Sequence, residues 1–140
     1  MAPFDGRLRI IVFVALALAL VGVAILLSQL LIWTSPGVSV TILDSRGRCG
    51  EGEPAVRLLE SEGGYIVVGF EEPVANPCHR HVIREVEVVP GEPSKIIVKL
   101  KLEKTSEVCV QCLGIVETRL RIGPVEEGAV ILVNGLELRV

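Results

Sequence analysis

The amino-acid sequence predicts an all-β domain, an antiparallel β-sandwich, preceded by one N-terminal transmembrane helix. Three observations lead to this prediction. Residues 10–33 are almost entirely apolar, apolar and polar residues alternate in short runs after residue 37, and turn-forming residues separate those runs. The 140 residues leave room for one modest domain beyond the helix. A small barrel is the second choice for its architecture.

The apolar N-terminal segment is typical of a membrane anchor. Residues 10–27 contain no charged or strongly polar side chain, and the apolar run resumes after Gln29 and ends at Trp33. As a helix this segment is roughly 36 Å long, which is enough for a bilayer core with some tilt. A cleaved signal peptide is the competing interpretation, but its apolar stretch would be about 7–15 residues long and would end in small residues. The stretch here is longer and lacks an Ala-x-Ala site, so an uncleaved anchor is favoured.

The charges at the N-terminus predict the orientation of this anchor. Arg7 and Arg9 precede it, and positively charged flanks of a membrane helix stay on the cytoplasmic side. We therefore expect a single-pass protein of the cell membrane with four parts. These are a cytoplasmic N-terminus (residues 1–9), an anchor in the lipid bilayer (10–33), a linker (34–37) and an extracytoplasmic β-sandwich (38–140).

Eight runs of residues predict the seven or eight strands of the domain. In the clearest, Lys95–Glu103, apolar side chains alternate with charged ones. Asn134 and Gly135 predict a type I′ hairpin between the last two runs, and residues 44–54 predict a turn-rich loop that contains Cys49. Short strands separated by turn signals fit a sandwich that is immunoglobulin-like in the loose sense. The predicted strands are 38–43, 55–60, 65–70, 81–89, 95–103, 115–122, 129–133 and 136–140.

The composition argues against several functional classes. The net charge is −3 and no basic run is present, so nucleic acid is not an expected partner. The domain has only two aromatic residues, Tyr65 and Phe70, and both are expected in the core, which leaves no stacking platform for sugars or bases. Abundant Glu, Lys and Arg beside few Asn and Gln is consistent with a thermophilic source.

Catalytic motifs are also missing. The sequence has no phosphate-binding loop, no GxSxG elbow and no HExxH motif. Two pairs of carboxylates, Glu71-Glu72 and Glu126-Glu127, stand beside turn residues and are expected to be solvated. An enzyme is therefore the less favoured class, and we assign no catalytic residues.

Four cysteines and two histidines are the residues most able to carry chemistry. A thioredoxin-type CxxC pair stands at the N-terminus of a helix that lowers the thiol pKa. In this sequence a strand follows Cys112, so thiol-redox chemistry is only an alternative. A Zn or Cu site is a second alternative, although the preferred expectation is no cofactor and two surface histidines at a strand start. The metal ligands in that alternative would be Cys78, His79, His81, Cys109 and Cys112.

Structural disulfides are the preferred role for the cysteines, since an even number suits an oxidising exterior. In an extended strand the Cα atoms of Cys109 and Cys112 would be about 10 Å apart, too far for a mutual disulfide. Each is therefore expected to pair with one of the remaining two, Cys49 and Cys78. A bridge that closes a loop of about thirty residues would contribute roughly 3–4 kcal/mol. That is a large share of the net stability of a small domain, about 5–15 kcal/mol.

Three stretches, NPCH, CVQC and GAVILVNG, resemble a pattern in small exported prokaryotic β-domains, many of them archaeal and most without an assigned function. Those proteins have a Pro-Cys before one strand, a Cys-x-Gln before another and a late Asn-Gly hairpin. The matching segments are Pro77-Cys78, residues 109–111 and residues 128–135, and the resemblance covers about residues 65–135. It implies a Cys78–Cys109 bridge. The bond between Cys49 and Cys112 then follows by elimination, and this is the pairing that we prefer.

The sequence thus predicts a membrane-anchored extracytoplasmic module that binds a partner or has a structural role and that two disulfides stabilise. The expected partner is another envelope protein or a second copy of the chain. One alternative is an exported metal-handling or thiol-redox protein that uses the Cys/His cluster. Another is a pilin-like filament subunit, because an apolar N-terminal helix followed by a β-domain is also the layout of pilins.

Overall fold

The computed structural model describes residues 6–33 and 37–140, with the side chains of the N-terminal helix described over residues 12–25. The chain divides into two units, residues 1–36 and 37–140. In the first, helix α1 extends over Gly6–Trp33. Among the described residues, no helix is long and apolar enough to cross a membrane. The predicted cytoplasmic segment and linker fall partly outside the described residues, at 1–5 and 34–36.

The second unit is built of eight strands, and every predicted run forms one of them. Asn134 and Gly135 both have positive φ angles, 46° and 87°, as the predicted hairpin requires. The strands are β1 Ser39–Cys49, β2 Ala55–Glu62, β3 Tyr65–Val74, β4 His79–Val89, β5 Lys95–Lys104, β6 Gly114–Gly123, β7 Val130–Val133 and β8 Leu136–Arg139.

The strands form two four-stranded sheets, which confirms the all-β sandwich. Sheet 1 has the order β1-β6-β3-β2 and sheet 2 the order β4-β5-β7-β8. Neighbouring strands are antiparallel except β5 and β7, which are parallel. The expectation of a purely antiparallel sandwich is wrong at this pair. Since β6 belongs to sheet 1, the chain leaves sheet 2 after β5. It returns to sheet 2 as β7, which runs beside β5 in the same direction.

Two strands, β1 and β3, extend four residues or more beyond the runs that the sequence predicts. β1 continues through residues 44–49, which were expected in a turn-rich loop, and pairs with β6 up to Cys49. A bulge between Ile42 and Asp44 interrupts this pairing without ending it. β3 likewise continues from Phe70 to Val74. In both cases pairing with β6, a partner distant in sequence, outweighs the local turn preference.

The inner faces of both sheets supply an aliphatic core. Phe70 is 2% exposed, as expected, whereas Tyr65 is 37% exposed. The Tyr65 ring lies 4.6 Å from the guanidinium carbon of Arg121, so the prediction that it belongs to the core is wrong. The residues of the central core cluster are Ile66, Val68, Phe70, Ile96, Val98, Leu100, Leu120, Ile122, Ile131 and Val133.

Candidate functional site

Two disulfides hold the connection between β5 and β6. The bonds join Cys49 to Cys112 and Cys78 to Cys109, each with a Cα–Cα distance of 5.8 Å, which confirms the preferred pairing. No cysteine of residues 37–140 is free. We call residues 105–113 the disulfide loop. They are not the extended strand on which the distance argument depended, yet each cysteine of the CxxC motif still bonds to a distant partner.

The chain that leads into β4 packs against this end of sheet 1. The Pro77 carbonyl oxygen would be 1.8 Å from a Cβ atom on Gly47, and the Pro77 nitrogen 2.7 Å from one on Gly114. Only glycine leaves room for such a close backbone approach. Thr105 N–H donates to the Cys78 carbonyl at 2.9 Å. The NPC stretch therefore lies directly beneath the disulfide loop and brings Cys78 within reach of it.

The disulfide loop exposes three apolar side chains. Val108 is 86% exposed, Val110 63% and Leu113 58%. Val110 and Leu113, together with Lys104 and Glu107, line a shallow cleft of about 520 Å³. Two covalent bonds thus hold the segment that carries these exposed apolar side chains.

A partly buried polar cluster joins the two sheets. His81 is 1% exposed, so the expectation of a surface histidine is wrong at this position. Its Nδ1 lies 2.7 Å from Thr118 Oγ1, its Nε2 lies 2.8 Å from Glu72 Oε2, and its backbone N–H donates to Ser45 Oγ at 2.8 Å. The four residues come from β4, β6, β3 and β1. We call Ser45, Glu72, His81 and Thr118 the His81 cluster.

The hydrogen bonds of the His81 cluster have one consistent order when the imidazole is neutral and the carboxyl is ionised. A carboxylate only accepts, so Nε2–H donates to Glu72 and Nδ1 accepts from the Thr118 hydroxyl. Thr118 Oγ1 then accepts from the Ser45 hydroxyl at 2.8 Å. Ser45 Oγ in turn accepts from the His81 backbone. Each of these groups has a partner, and no buried side-chain nitrogen or oxygen of the described residues lacks one.

Carboxylate, imidazole and hydroxyl stand here in the order of a hydrolase triad. The hydroxyl cannot act as a nucleophile, because Thr118 is 1% exposed and its oxygen is also held by Ser45. The ring of His81 packs against Phe70, with centroids 5.2 Å apart. The cluster therefore joins the sheets and does not present a reactive group to a substrate.

Sequence reasoning missed Glu72 and misplaced its neighbour. Both residues of the Glu71-Glu72 pair lie in β3, so the expectation of solvated turn residues is wrong for them. Glu72 continues the inward alternation of Ile66, Val68 and Phe70, whereas Glu71 points outward and pairs with Arg57. Extending the period-two pattern of β3 past Phe70 was the available signal.

The five residues of the alternative metal site already have other bonding partners. Its three cysteines are disulfide-bonded and offer no thiolate, and both ring nitrogens of His81 have partners. His79 Nδ1 lies 3.2 Å from the Asn76 carbonyl oxygen. In residues 6–33 and 37–140, no group of three or more His, Cys, Asp or Glu is arranged to hold a metal ion.

The clearest electrostatic perturbation lies on the outer face of sheet 2. Lys99 Nζ donates to Glu85 Oε2 at 2.8 Å. This hydrogen bond and the accompanying charge attraction lower the pKa of Glu85 and raise the pKa of Lys99. Both side chains are exposed, so the pair is screened by solvent.

Comparison with protein-family models, curated proteins and solved structures found no match for this chain.

Proposed function

We propose that this protein is a membrane-anchored, extracytoplasmic binding module whose recognition surface is the disulfide loop. The observation that carries the proposal is the exposure of Val108, Val110 and Leu113 on a loop tied to both sheets. The partner that fits this surface is an envelope protein with an apolar patch. We also propose, on the resemblance of residues 65–135, that the domain belongs with the small exported prokaryotic β-domains.

The disulfides favour binding through their effect on entropy. A free nine-residue connection would lose conformational freedom when a partner orders it, and that loss would weaken binding. Here Cys109 and Cys112 fix the loop at two points only three residues apart, so most of that freedom is already lost in the unbound protein. Apolar contact area then contributes to affinity with little ordering cost.

The position of the loop suits an external partner. The chain begins β1 at Ser39 and reaches the loop end of the domain at Cys49, the last of the eleven residues of this strand. At about 3.3 Å per residue the two ends of β1 are roughly 33 Å apart. The disulfide loop thus lies at the end of the sandwich opposite to the point where the chain begins β1.

The anchor rests on the sequence of residues 10–33 and on the helical conformation of Gly6–Trp33. The described side chains cover only residues 12–25 of this segment, and its large apolar ones are between 54% and 74% exposed. Arg7 and Arg9 support a cytoplasmic N-terminus. Two disulfides are consistent with a domain on the oxidising side of the membrane.

The experiment that tests this proposal uses the full chain in the membranes of its own cells. A photoreactive amino acid at position 110 is expected to give a defined protein adduct, and Leu113→Ser is expected to weaken it. The matched control carries the photoreactive group at Leu43, which is 49% exposed but lies in β1. Equal adducts at both positions would reject the disulfide loop as the recognition surface. Recovery of the full chain in the soluble fraction after cell lysis would reject the anchor.

A further inference from the structure

The second half of β4 is an open edge with an uncovered inner face. β4 ends sheet 2, and only one of its sides pairs with another strand, β5. Val86 and Val88 pair with Val98 and Ile96 and therefore face the core side of the sheet. Their partners are 0% and 2% exposed, yet Val86 is 37% and Val88 45% exposed. The core side of sheet 2 is thus covered over β5 and uncovered over this part of β4.

This segment differs from the first half of the same strand. There the His81 backbone donates to Ser45 of β1, which brings β4 against sheet 1. A bulge at Arg84 follows, and every residue from 84 to 89 is exposed. We call residues 85–89 the β4 edge.

The β4 edge is a regular stretch that follows the bulge of its strand. β1 and β2 also carry bulges, beside Leu43 and Leu59, and β8 is four residues long. All five residues of the β4 edge pair with β5 in regular register, and its inward side chains Val86 and Val88 are exposed. A regular, exposed edge of this kind presents unpaired backbone donors and acceptors to another strand.

We propose that the β4 edge binds an extended segment of a partner protein, which adds a fifth strand to sheet 2. Apolar side chains on one face of the incoming segment would cover Val86 and Val88. Its other face would lie beside Glu85 and Glu87, so basic side chains are favoured there. Glu85 is already hydrogen-bonded by Lys99, whereas Glu87 makes no ion pair within residues 37–140. The partner segment therefore alternates apolar residues with Lys or Arg.

A second copy of this chain fits the edge less well. If the β4 edges of two copies paired about a twofold axis, the outer faces of both sheets would lie on the same side of the joined sheet. Glu85 and Glu87 of one copy would then stand opposite carboxylates of the other. Like charges directly opposite each other destabilise a strand pair. The acidic side chains thus favour a basic partner over self-association. This surface is separate from the disulfide loop, and its test does not depend on the proposed function.

The test uses the purified full chain and a short synthetic peptide in which lysine and valine alternate. Hydrogen–deuterium exchange of the backbone is measured with and without the peptide, and binding is quantified by titration. We expect slowed exchange within residues 85–89. Glu87→Lys should weaken binding roughly tenfold, because one attraction becomes a repulsion. The matched control Glu126→Lys makes the same charge change in an exposed turn and should alter affinity by less than about twofold.

The peptide itself supplies further controls on the unaltered protein. Alternate N-methylation of its backbone should abolish binding, because it removes the donors that a strand pair needs. A glutamate–valine peptide should bind more weakly than the lysine–valine peptide. Protection of residues 105–113 instead of the β4 edge would overturn the proposal, as would equal binding of the two peptides. Protection of the β4 edge that grows with protein concentration in the absence of peptide would show that a second copy is the occupant.

Discussion

Thr118→Val removes one hydroxyl from the His81 cluster and changes little else, because valine and threonine have similar shapes. Thr118 is 1% exposed, and its hydroxyl serves two neighbours. It donates to His81 Nδ1 at 2.7 Å and accepts from Ser45 at 2.8 Å. The substitution therefore leaves the buried Nδ1 of His81 without a hydrogen-bond donor. The hydroxyl of half-buried Ser45, in contrast, can donate to a water molecule instead.

The expected cost is that of one buried, unsatisfied acceptor. Such a group lowers the free energy of unfolding by about 1–3 kcal/mol. For a domain near one hundred residues, each kcal/mol shifts the melting temperature by roughly 4–8 °C. We therefore expect Thr118→Val to melt several degrees below the unaltered protein.

The assay is denaturant and thermal unfolding of the oxidised full chain, followed by circular dichroism. Thr41→Val is the matched control, since Thr41 lies in the same sheet with an exposed side chain and should change stability by less than about 0.5 kcal/mol. Nitrogen NMR of His81 provides an independent readout. The neutral ring should carry its proton on Nε2, which the hydrogen bond to Glu72 fixes.

A double variant separates the hydrogen bond from packing. When His81→Leu is added to Thr118→Val, the buried acceptor is gone, so the combined cost should be smaller than the sum of the two single costs. Equal stability of Thr118→Val and Thr41→Val would refute the assigned role of the hydroxyl. A neutral ring protonated on Nδ1 would refute the order of donors in the cluster.

Three further predictions concern other parts of the domain. Cys109→Ser should lower the free energy of unfolding by roughly 4 kcal/mol, because its bridge closes a sequence separation of 31 residues. Gly47→Ala should cost about 1–3 kcal/mol through overpacking against a crossing backbone, and Gly37→Ala, with nothing within 4 Å of its added Cβ, should cost much less. By NMR titration the Glu85 carboxyl should titrate below its ordinary pKa of 4.5, and Lys99→Met should return that pKa towards 4.5. Because this pKa is lowered in the folded state, the small contribution of the pair is present above pH 4.5 and disappears as the pH falls through the folded-state pKa.

Clear outcomes would contradict each of these predictions. Unfolding curves of Cys109→Ser that match the unaltered protein would show that the bridge does not restrict the unfolded chain. Equal stability of the two alanine variants would show that the backbone at Gly47 has room to adjust. An unchanged titration of Glu85 after loss of Lys99 would assign the lowered pKa to another cause.

The strands could be predicted because their signals are local. In Lys95–Glu103 the alternation of apolar and charged residues indicates which side chains face the core. Asn134-Gly135 specifies a hairpin that needs positive φ angles. The disulfide pairing was also predicted, from the distance between Cys109 and Cys112 in an extended chain and from a resemblance. The premise of that distance was wrong, since both cysteines lie in a loop, yet each still bonds to a distant partner as predicted.

The His81 cluster could not be predicted because its members come from four strands. His81 and Glu72 are nine residues apart in sequence, and Ser45 and Thr118 are 73 apart. Only Glu72 had a local signal, the period-two pattern of β3, and nothing local marks the other three, since each is a polar residue in or beside a run that also has exposed polar residues. The full lengths of β1 and β3 could not be predicted for the same reason, because the hydrogen bonds that extend these strands come from β6.

The sequence by itself determined where the chain is helical, which eight runs become strands and which side chains of the clearest strand face inward, because backbone conformation and hydrophobic period act over a few residues. Only the tertiary structure decided that His81 is buried, that Val86 and Val88 remain uncovered and that the disulfide loop exposes its valines. Burial depends on what the opposite sheet places over a residue, and that is set by packing between segments far apart in the chain.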